Sequence, residues 1–366
     1  GGHCTRVPVL AMMIADKACD SNDGIFADFD MNPDERYEME IAALLHDCGK
    51  VTTPEYVVDK ATKLETIYDR IHEVRTRFEV LKRDAEIDCL KAIIDGGDEK
   101  ALKAELEEKL SQLDDDFTFV ANANIGGEFM SDDDVERVQE MATRTWIRTL
   151  DDRIGVSHEE LKRMESVPAK PLPAEEPLFA NKPEHVIERD PANKISPDNP
   201  FGFKMNEPED MYNRGELYNL CIQKGTLTAE ERYKINHHMV QTITMLGQLP
   251  FPKHLAKVPE MAGGHHETMI GTGYPCRLSK EDMTLPARMM AIADIFEALT
   301  ACDRPYKKAK TLSESLKILW FMKKDQHIDP DLFELFLKSG VYKEYADKFL
   351  MESQIDEVDI SQYLED

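Results

Sequence analysis

Set in chain order, the residues best suited to metal or acid–base chemistry are His3, the pair His46-Asp47, His238, the pair His265-His266, and Asp294. Each lies in or beside an apolar stretch, as in Ala42-Ala43-Leu44-Leu45-His46-Asp47 and Met290-Ala291-Ile292-Ala293-Asp294. An imidazole or carboxylate placed in a core needs a partner, and a divalent metal supplies one. Taken singly, any of these histidines is more often a satisfied core residue than a ligand. As a set of His and Asp without Cys, they suit Fe, Mn or Zn better than a structural zinc finger. Adjacent His-Asp and His-His pairs can ligate neighbouring ions, so two or more metals are expected. Closely spaced metals would supply a hydroxide and clamp a phosphodiester.

Charge narrows the ligand. The 366 residues carry a net charge of −26, which argues against DNA, RNA or an anionic membrane as partner. A small phosphorylated ligand must therefore meet a local exception, and Lys50, Arg304 and Lys307 form one, suited to non-bridging phosphate oxygens. Lys308 and Lys310 extend that basic run but read equally as solvated surface. The 42% hydrophobic share, with 15 Phe and 11 Tyr, supports a real core. Seven cysteines, scattered and without a C-x-x-C, read as reduced thiols of a cytoplasm. No run approaches the roughly 18 apolar residues of a membrane span, and no secretory signal opens the chain.

The elements that must position these residues are nearly all helical. Val7, Leu10, Ile14 and Ala18 put a helix over 3–20, and Asn32-Pro33 open another that runs to about Leu45. From Thr62 to Ile94 the pattern is charged and free of Gly and Pro, with Ile67, Ile71, Val74, Phe78 and Leu81 on one stripe. After the Asp95-Gly96-Gly97-Asp98 break it resumes over 99–113, so a helical hairpin is expected, with dimerisation, covering of the active site or receipt of a signal as its roles. Helix starts also show at Ser131 and Ser157. Residues 167–210 read as irregular. Thr228-Ala229-Glu230-Glu231 is a capping box for a helix through His238 to Leu246, and the remainder is helical with short turns. Strand signals are few, and the expected class is all-α.

Five motifs now stand in order: His46-Asp47-Cys48-Gly49-Lys50, His265-His266-Glu267, Gly271-Thr272-Gly273-Tyr274-Pro275, Ile292-Ala293-Asp294 and Arg304-Pro305-Tyr306-Lys307. Together they resemble the HD-GYP subgroup of the HD phosphohydrolase superfamily, over roughly residues 1–60 and 215–325. The resemblance implies a helical bundle holding two or three divalent metals, commonly iron or manganese, that linearises cyclic di-GMP or a related cyclic dinucleotide. It assigns His3, His46, Asp47, His238, His265, His266 and Asp294 to the metals, with His238 preferred to His237. His46, Asp47 and Lys50 become the catalytic set, and Lys50, Tyr274, Arg304 and Lys307 the substrate contacts. Glu267 would orient a ligand. The tyrosine loop reads as packing on its own domain, as contact with a guanine base, or as the face for a signalling protein such as a diguanylate cyclase.

Two departures accompany the match. Family members often carry a glutamate four residues before the first histidine, upstream of this sequence, so a third metal site would be incomplete. A long stretch also separates Lys50 from His238. The expected organisation is a first domain part over 1–61, an insertion over 62–215, a second domain part over 216–325 and a helical extension over 326–366. A homodimer through the hairpin is expected. The rival functions are a cyclic-dinucleotide sensor that does not cleave, and an HD phosphohydrolase acting on another nucleotide.

Overall fold

Local chemistry sets the helix starts. Asn32 accepts from the amides of Asp34 and Glu35, Glu35 returns a bond to the Asn32 amide, and Pro33 fills the first turn. Thr311 forms the same reciprocal box with Glu314, and Ser131 and Ser157 cap later helices by accepting from the amides of Asp134 and Glu160. The structure is a computed structural model that describes residues 2–302 and 309–364. Arg304 and Lys307 therefore lie outside the described residues.

In chain order the elements are α1 (Gly2–Cys19), α2 (Pro33–Leu45), α3 (Glu55–Val58), α4 (Ile71–Ile94), α5 (Glu99–Ile125), α6 (Asp132–Ala142), β1 (Thr145–Arg148), α7 (His158–Met164), β2 (Ala174–Pro177), β3 (Val186–Glu188) and β4 (Asp210–Asn213). There follow α8 (Glu216–Leu220), α9 (Ala229–Asn236), α10 (His238–Gly247), α11 (Val258–Gly263), α12 (Leu285–Thr300), α13 (Leu312–Lys324), α14 (Pro330–Lys338), α15 (Val341–Phe349) and α16 (Ser361–Leu364). The class is all-α, with two small antiparallel ribbons, β1 with β2 and β3 with β4; β2 and β3 fall inside the stretch expected to be irregular, and β1 precedes it.

Three local expectations change. The helix expected from Thr62 begins only at Ile71, because Glu65 and Asp69 spend their carboxylates on the amides of Ala61, Thr62 and Ile71. Such bonds compete with helix formation. The helix expected to end at 113 runs on to Ile125, with Leu113 and Val120 buried. The helix expected through His238 breaks at His237, so His238 opens its own helix, α10.

The chain divides into two compact units. The first comprises Gly1–Pro54, Ile195–Asn206 and Lys234–Asp366. Its core packs Val7, Leu10 and Ile14 of α1 with Met289, Ile292 and Phe296 of α12. Residues 326–366 are integral to it, since Phe333, Phe336, Tyr342 and Tyr345 are wholly buried there. Each such side chain contributes about 1.5–3 kcal/mol of apolar burial.

The second unit comprises Glu55–Lys194 and Glu207–Tyr233; the sequence boundaries at 61/62 and 215/216 fall inside it. Val74 and Phe78 of α4, Leu113 and Val120 of α5, and Val138 of α6 form its core with Leu178, Phe179 and Leu220. Among the described residues, no helix is long and apolar enough to cross a membrane. All seven cysteines are free.

Candidate metal centre

Within the first unit, four helices each bring a donor to one place. α1 offers His3 from its first turn, and α2 ends on His46 as its C-cap. Asp47 follows at φ −108°, ψ 13°, the sparsely populated bridge region where many active-site residues sit. α10 opens with His238, the turn after α11 carries His265 and His266, and α12 presents Asp294.

Glycine makes the approach of two of these elements possible. A Cβ at Gly49 would lie 2.0 Å from the carbonyl oxygen of His238 and 2.6 Å from the amide of Thr242. With no Cβ, the Gly49 amide instead donates to the Thr242 hydroxyl at 3.0 Å, docking the turn after Asp47 on α10.

The histidines are oriented by their own backbones. Nδ1 of His46 meets the Ala43 carbonyl at 2.6 Å, Nδ1 of His238 the Ile235 carbonyl at 2.5 Å, and Nδ1 of His265 the Ala262 carbonyl at 2.8 Å. Only an N–H can serve a carbonyl, so each ring keeps its proton on Nδ1 and turns Nε2 inward, a lone-pair donor whenever the ring is neutral. His3 is held from its side chain instead, with Nδ1 bonded to the Glu297 carboxylate. Arg6, one turn along α1, fixes that carboxylate through Nε at 2.7 Å.

The inward atoms form two sets that share one residue: His3, His46, Asp47 and Asp294, and Asp47, His238, His265 and His266. Within each set the donor atoms lie within 4.8 Å of one another. Asp47 turns Oδ2 towards Nε2 of His3 and of His46, 3.3 Å from each, and Oδ1 towards Nε2 of His238 at 3.2 Å. Asp294 Oδ1 stands 3.1 Å from Nε2 of His3. None of these approaches is aligned as a hydrogen bond: Nε2 of His3, His46, His238 and His265, and Oδ1 of Asp47, are buried without a partner. Buried polar atoms without partners are costly, and five in one cluster point to a cation between them.

Electrostatics agree with that donor set. Burial would raise Asp47 and Asp294, but the facing imidazoles overrule it and hold both carboxyls well below the usual range. Burial pulls the other way on His3 and His46, yet the carboxylates of Asp294 and Asp47 carry them up to about 11 and about 9. His265 is pushed down to about 4 by burial, with His46 adding to the effect, and His266 also falls well below its ordinary value. The centre thus mixes neutral imidazoles, ready to ligate, with protonated ones whose protons a divalent cation would replace. Nitrogen and carboxylate oxygen without sulfur fit such an ion.

The remaining expected residues divide. Lys50 is half-exposed and places Nζ 2.5 Å from Asp47 Oδ2. Tyr274 stacks on His266, ring centroids 4.8 Å apart, and burial raises its phenol. Its loop lies close because Gly273 has no Cβ, which would sit 2.5 Å from Glu267 Cα. Glu267 anchors that loop: its carboxylate accepts from the amides of Cys276 and Leu278 at 2.7 and 2.9 Å, and among the described residues it has no hydrogen bond to any of the donor side chains. Sequence reasoning missed Arg6 and Glu297. The available signal was spacing, since Glu297 falls one turn after Asp294 and Arg6 one turn after His3.

Comparison with known proteins matches this geometry. Residues 1–115 and 170–332 match two family models, each described as an HD domain, and between them they contain every donor named above. A cyclic di-GMP phosphodiesterase of Pseudomonas aeruginosa is 36% identical over 121 residues, 32% of this chain and 28% of that protein. A 3'3'-cGAMP-specific phosphodiesterase of Vibrio cholerae is 30% identical over 141 residues, 37% of this chain and 29% of that protein. A cyclic di-GMP phosphodiesterase of Thermotoga maritima is 30% identical over 137 residues, 37% of this chain and 36% of that protein. The chain thus spans about a third or less of the length of these curated relatives. With the donor helices, the tyrosine loop and both family matches in agreement, the chain belongs to the HD-domain family, in its HD-GYP branch.

Proposed function

We propose that this chain is a metal-dependent phosphodiesterase that opens a cyclic dinucleotide, cyclic di-GMP or cyclic GMP-AMP, to the linear dinucleotide. A second cut would give mononucleotide. The observation that carries the reading is Asp47, whose two oxygens face two different groups of unpartnered imidazole nitrogens. A shared carboxylate between two donor sets is what a two-metal phosphodiesterase requires. The substrate class comes from the relatives, which are cyclic di-GMP and 3'3'-cGAMP phosphodiesterases.

His3, His46, Asp47 and Asp294 would hold one ion and Asp47, His238, His265 and His266 another. Iron or manganese suits this set best. When bound, such ions supply Lewis acidity at the phosphoryl oxygens and a water nucleophilic at neutral pH. The chain's own groups do the positioning. Backbone carbonyls and Glu297 fix the ring tautomers, so that Nε2 faces the reacting space. Lys50 is close enough to trade its contact with Asp47 for a non-bridging phosphate oxygen. The Tyr274 ring, seated on His266, lies where a base or sugar of the substrate would rest. Arg304 and Lys307 complete the phosphate contacts in this reading.

The test is hydrolysis of both cyclic dinucleotides by protein purified without oxygen and loaded with Fe(II) or Mn(II), products being separated by chromatography. Linear dinucleotide is expected, and Asp47→Ala is expected to abolish it along with most of the bound metal. An Asp47→Ala protein as active as the parent, metal content unchanged, sinks the assignment. Tight binding without product by fully loaded parent protein would instead make the domain a sensor.

A further inference from the structure

Lys63 belongs to the second unit and takes no part in the metal centre. Its whole side chain is buried, 2% exposed, among the largest fully buried side chains of the chain. A buried ammonium normally faces a carboxylate. Lys63 has none within ion-pair distance among the described residues. Nζ donates to the Leu220 carbonyl at 3.0 Å, at the end of α8, and touches the Met130 sulfur at 3.1 Å. An ammonium has three protons to give, so one is left over. Burial lowers this amine to about 8.

Lys63 is one of the residues lining a cavity of about 220 Å³, formed where the end of α5 passes to the start of α6. Phe119, Ala123, Phe129 and Met130 supply apolar lining, and Phe129 is exposed at its rim. Asp134 lines the same cavity. Its amide is tied to the Ser131 cap, while its carboxylate has no hydrogen bond or ion pair among the described residues. One cation and one anion, too far apart to pair with each other, thus share a cavity of amino-acid size with aromatic sides.

We propose that this cavity binds a free α-amino acid with an apolar side chain. The ligand carboxylate would take the spare proton of Lys63, its ammonium would face Asp134, and its side chain would lie against Phe119 and Phe129. A small carboxylate supplies the missing counter-charge, and the Asp134 carboxylate selects for an amine. The site lies in the inserted unit, so the proposal is independent of the phosphodiesterase reading.

The experiment is calorimetric titration of the full chain with L-leucine, L-methionine and L-phenylalanine, each to about 10 mM, a range that detects millimolar dissociation constants. At least one is expected to bind. Lys63→Met keeps the volume and removes the buried charge, and should weaken that ligand by more than about tenfold. Asp134→Asn, at a half-exposed position, should weaken it while leaving the deaminated analogue, 4-methylpentanoate in the case of leucine, unaffected. Silence from all three amino acids overturns the proposal. So does unchanged affinity in Asp134→Asn, a measurement that stands even if Lys63→Met fails to fold.

Discussion

Glu297 shows how one side chain outside the donor sets can govern them. It is wholly buried, bonded to Nδ1 of His3 and clasped by Arg6, so it fixes the ring whose Nε2 faces Asp47 and Asp294. Loss of such a supporting group costs roughly 10–100-fold in metal affinity. Glu297→Ala is expected to show that loss in a chelator competition, while Asp47→Ala, which strikes both donor sets, should exceed it. The imidazoles give a second expectation. His3 and His46 lie above their ordinary value of 6.5, at about 11 and about 9, so both carry protons at neutral pH before a cation arrives. Ligation needs the neutral ring, so loading must release protons and the apparent affinity must rise with pH. Titrating metal in two buffers of different ionisation enthalpy would count the protons, and a heat independent of buffer would contradict the assignment. The donor cluster was legible in the sequence because His and Asp are anomalous inside apolar stretches such as Ala42–Leu45. Glu297 was not, because a glutamate on a helix ordinarily reads as solvated surface.

At the scale of elements, the turn over 48–52 and helix α10 are locked by Gly49. Alanine there would drive a Cβ into the His238 carbonyl and the Thr242 amide, and overpacking of this kind costs about 1–3 kcal/mol or more. Because the displaced helix opens with His238, Gly49→Ala should lower the melting temperature and also deplete metal from the set containing His238. A drop in stability with full metal content would separate the two effects and refute the coupling. Helix existence was readable from periodicity, but the boundaries were not. Glu65 and Asp69 hold 62–70 out of helix through side-chain bonds that a hydrophobic pattern cannot reveal, and the β1–β2 pairing joins residues about thirty positions apart. The C-terminal helices read as an appendage because nothing in their own periodicity names the partner helices α1 and α12.

For the molecule as a whole, each unit has its own apolar core, the first broader than the second. The second also carries buried carboxylates in ion pairs: Glu216 with Arg77 at 2.7 Å, Asp116 with Arg144 at 2.6 Å, and Glu176 with Arg148 at 2.9 Å. Burial would raise all three carboxyls, but the guanidinium partners prevail and hold them below their ordinary values of 4.5, 3.8 and 4.5. A carboxyl depressed in the folded state contributes stability above its unfolded value, and that stability is lost as pH falls through the folded one. The second unit should therefore weaken progressively once the pH drops below about 4.5. Glu216→Gln, which strands Arg77, should cost roughly 3 kcal/mol at neutral pH and flatten this acid transition. Circular dichroism across an acid titration reads both, and an acid limb unchanged by the substitution would refute it.

His3 and Glu297 sit 294 positions apart in the chain, with the whole second unit between them in sequence. On a ribosome adding about 5–20 residues per second, roughly 12–50 s separate the appearance of residue 54 from that of α12. During that time α1 has emerged without the helix that covers Val7, Leu10 and Ile14. The inserted unit can meanwhile complete its own core. Assembly of the donor cluster is accordingly a late event in the life of the nascent chain, and α1 must be sheltered, by chaperone or by transient collapse, until Asp294 and Glu297 arrive.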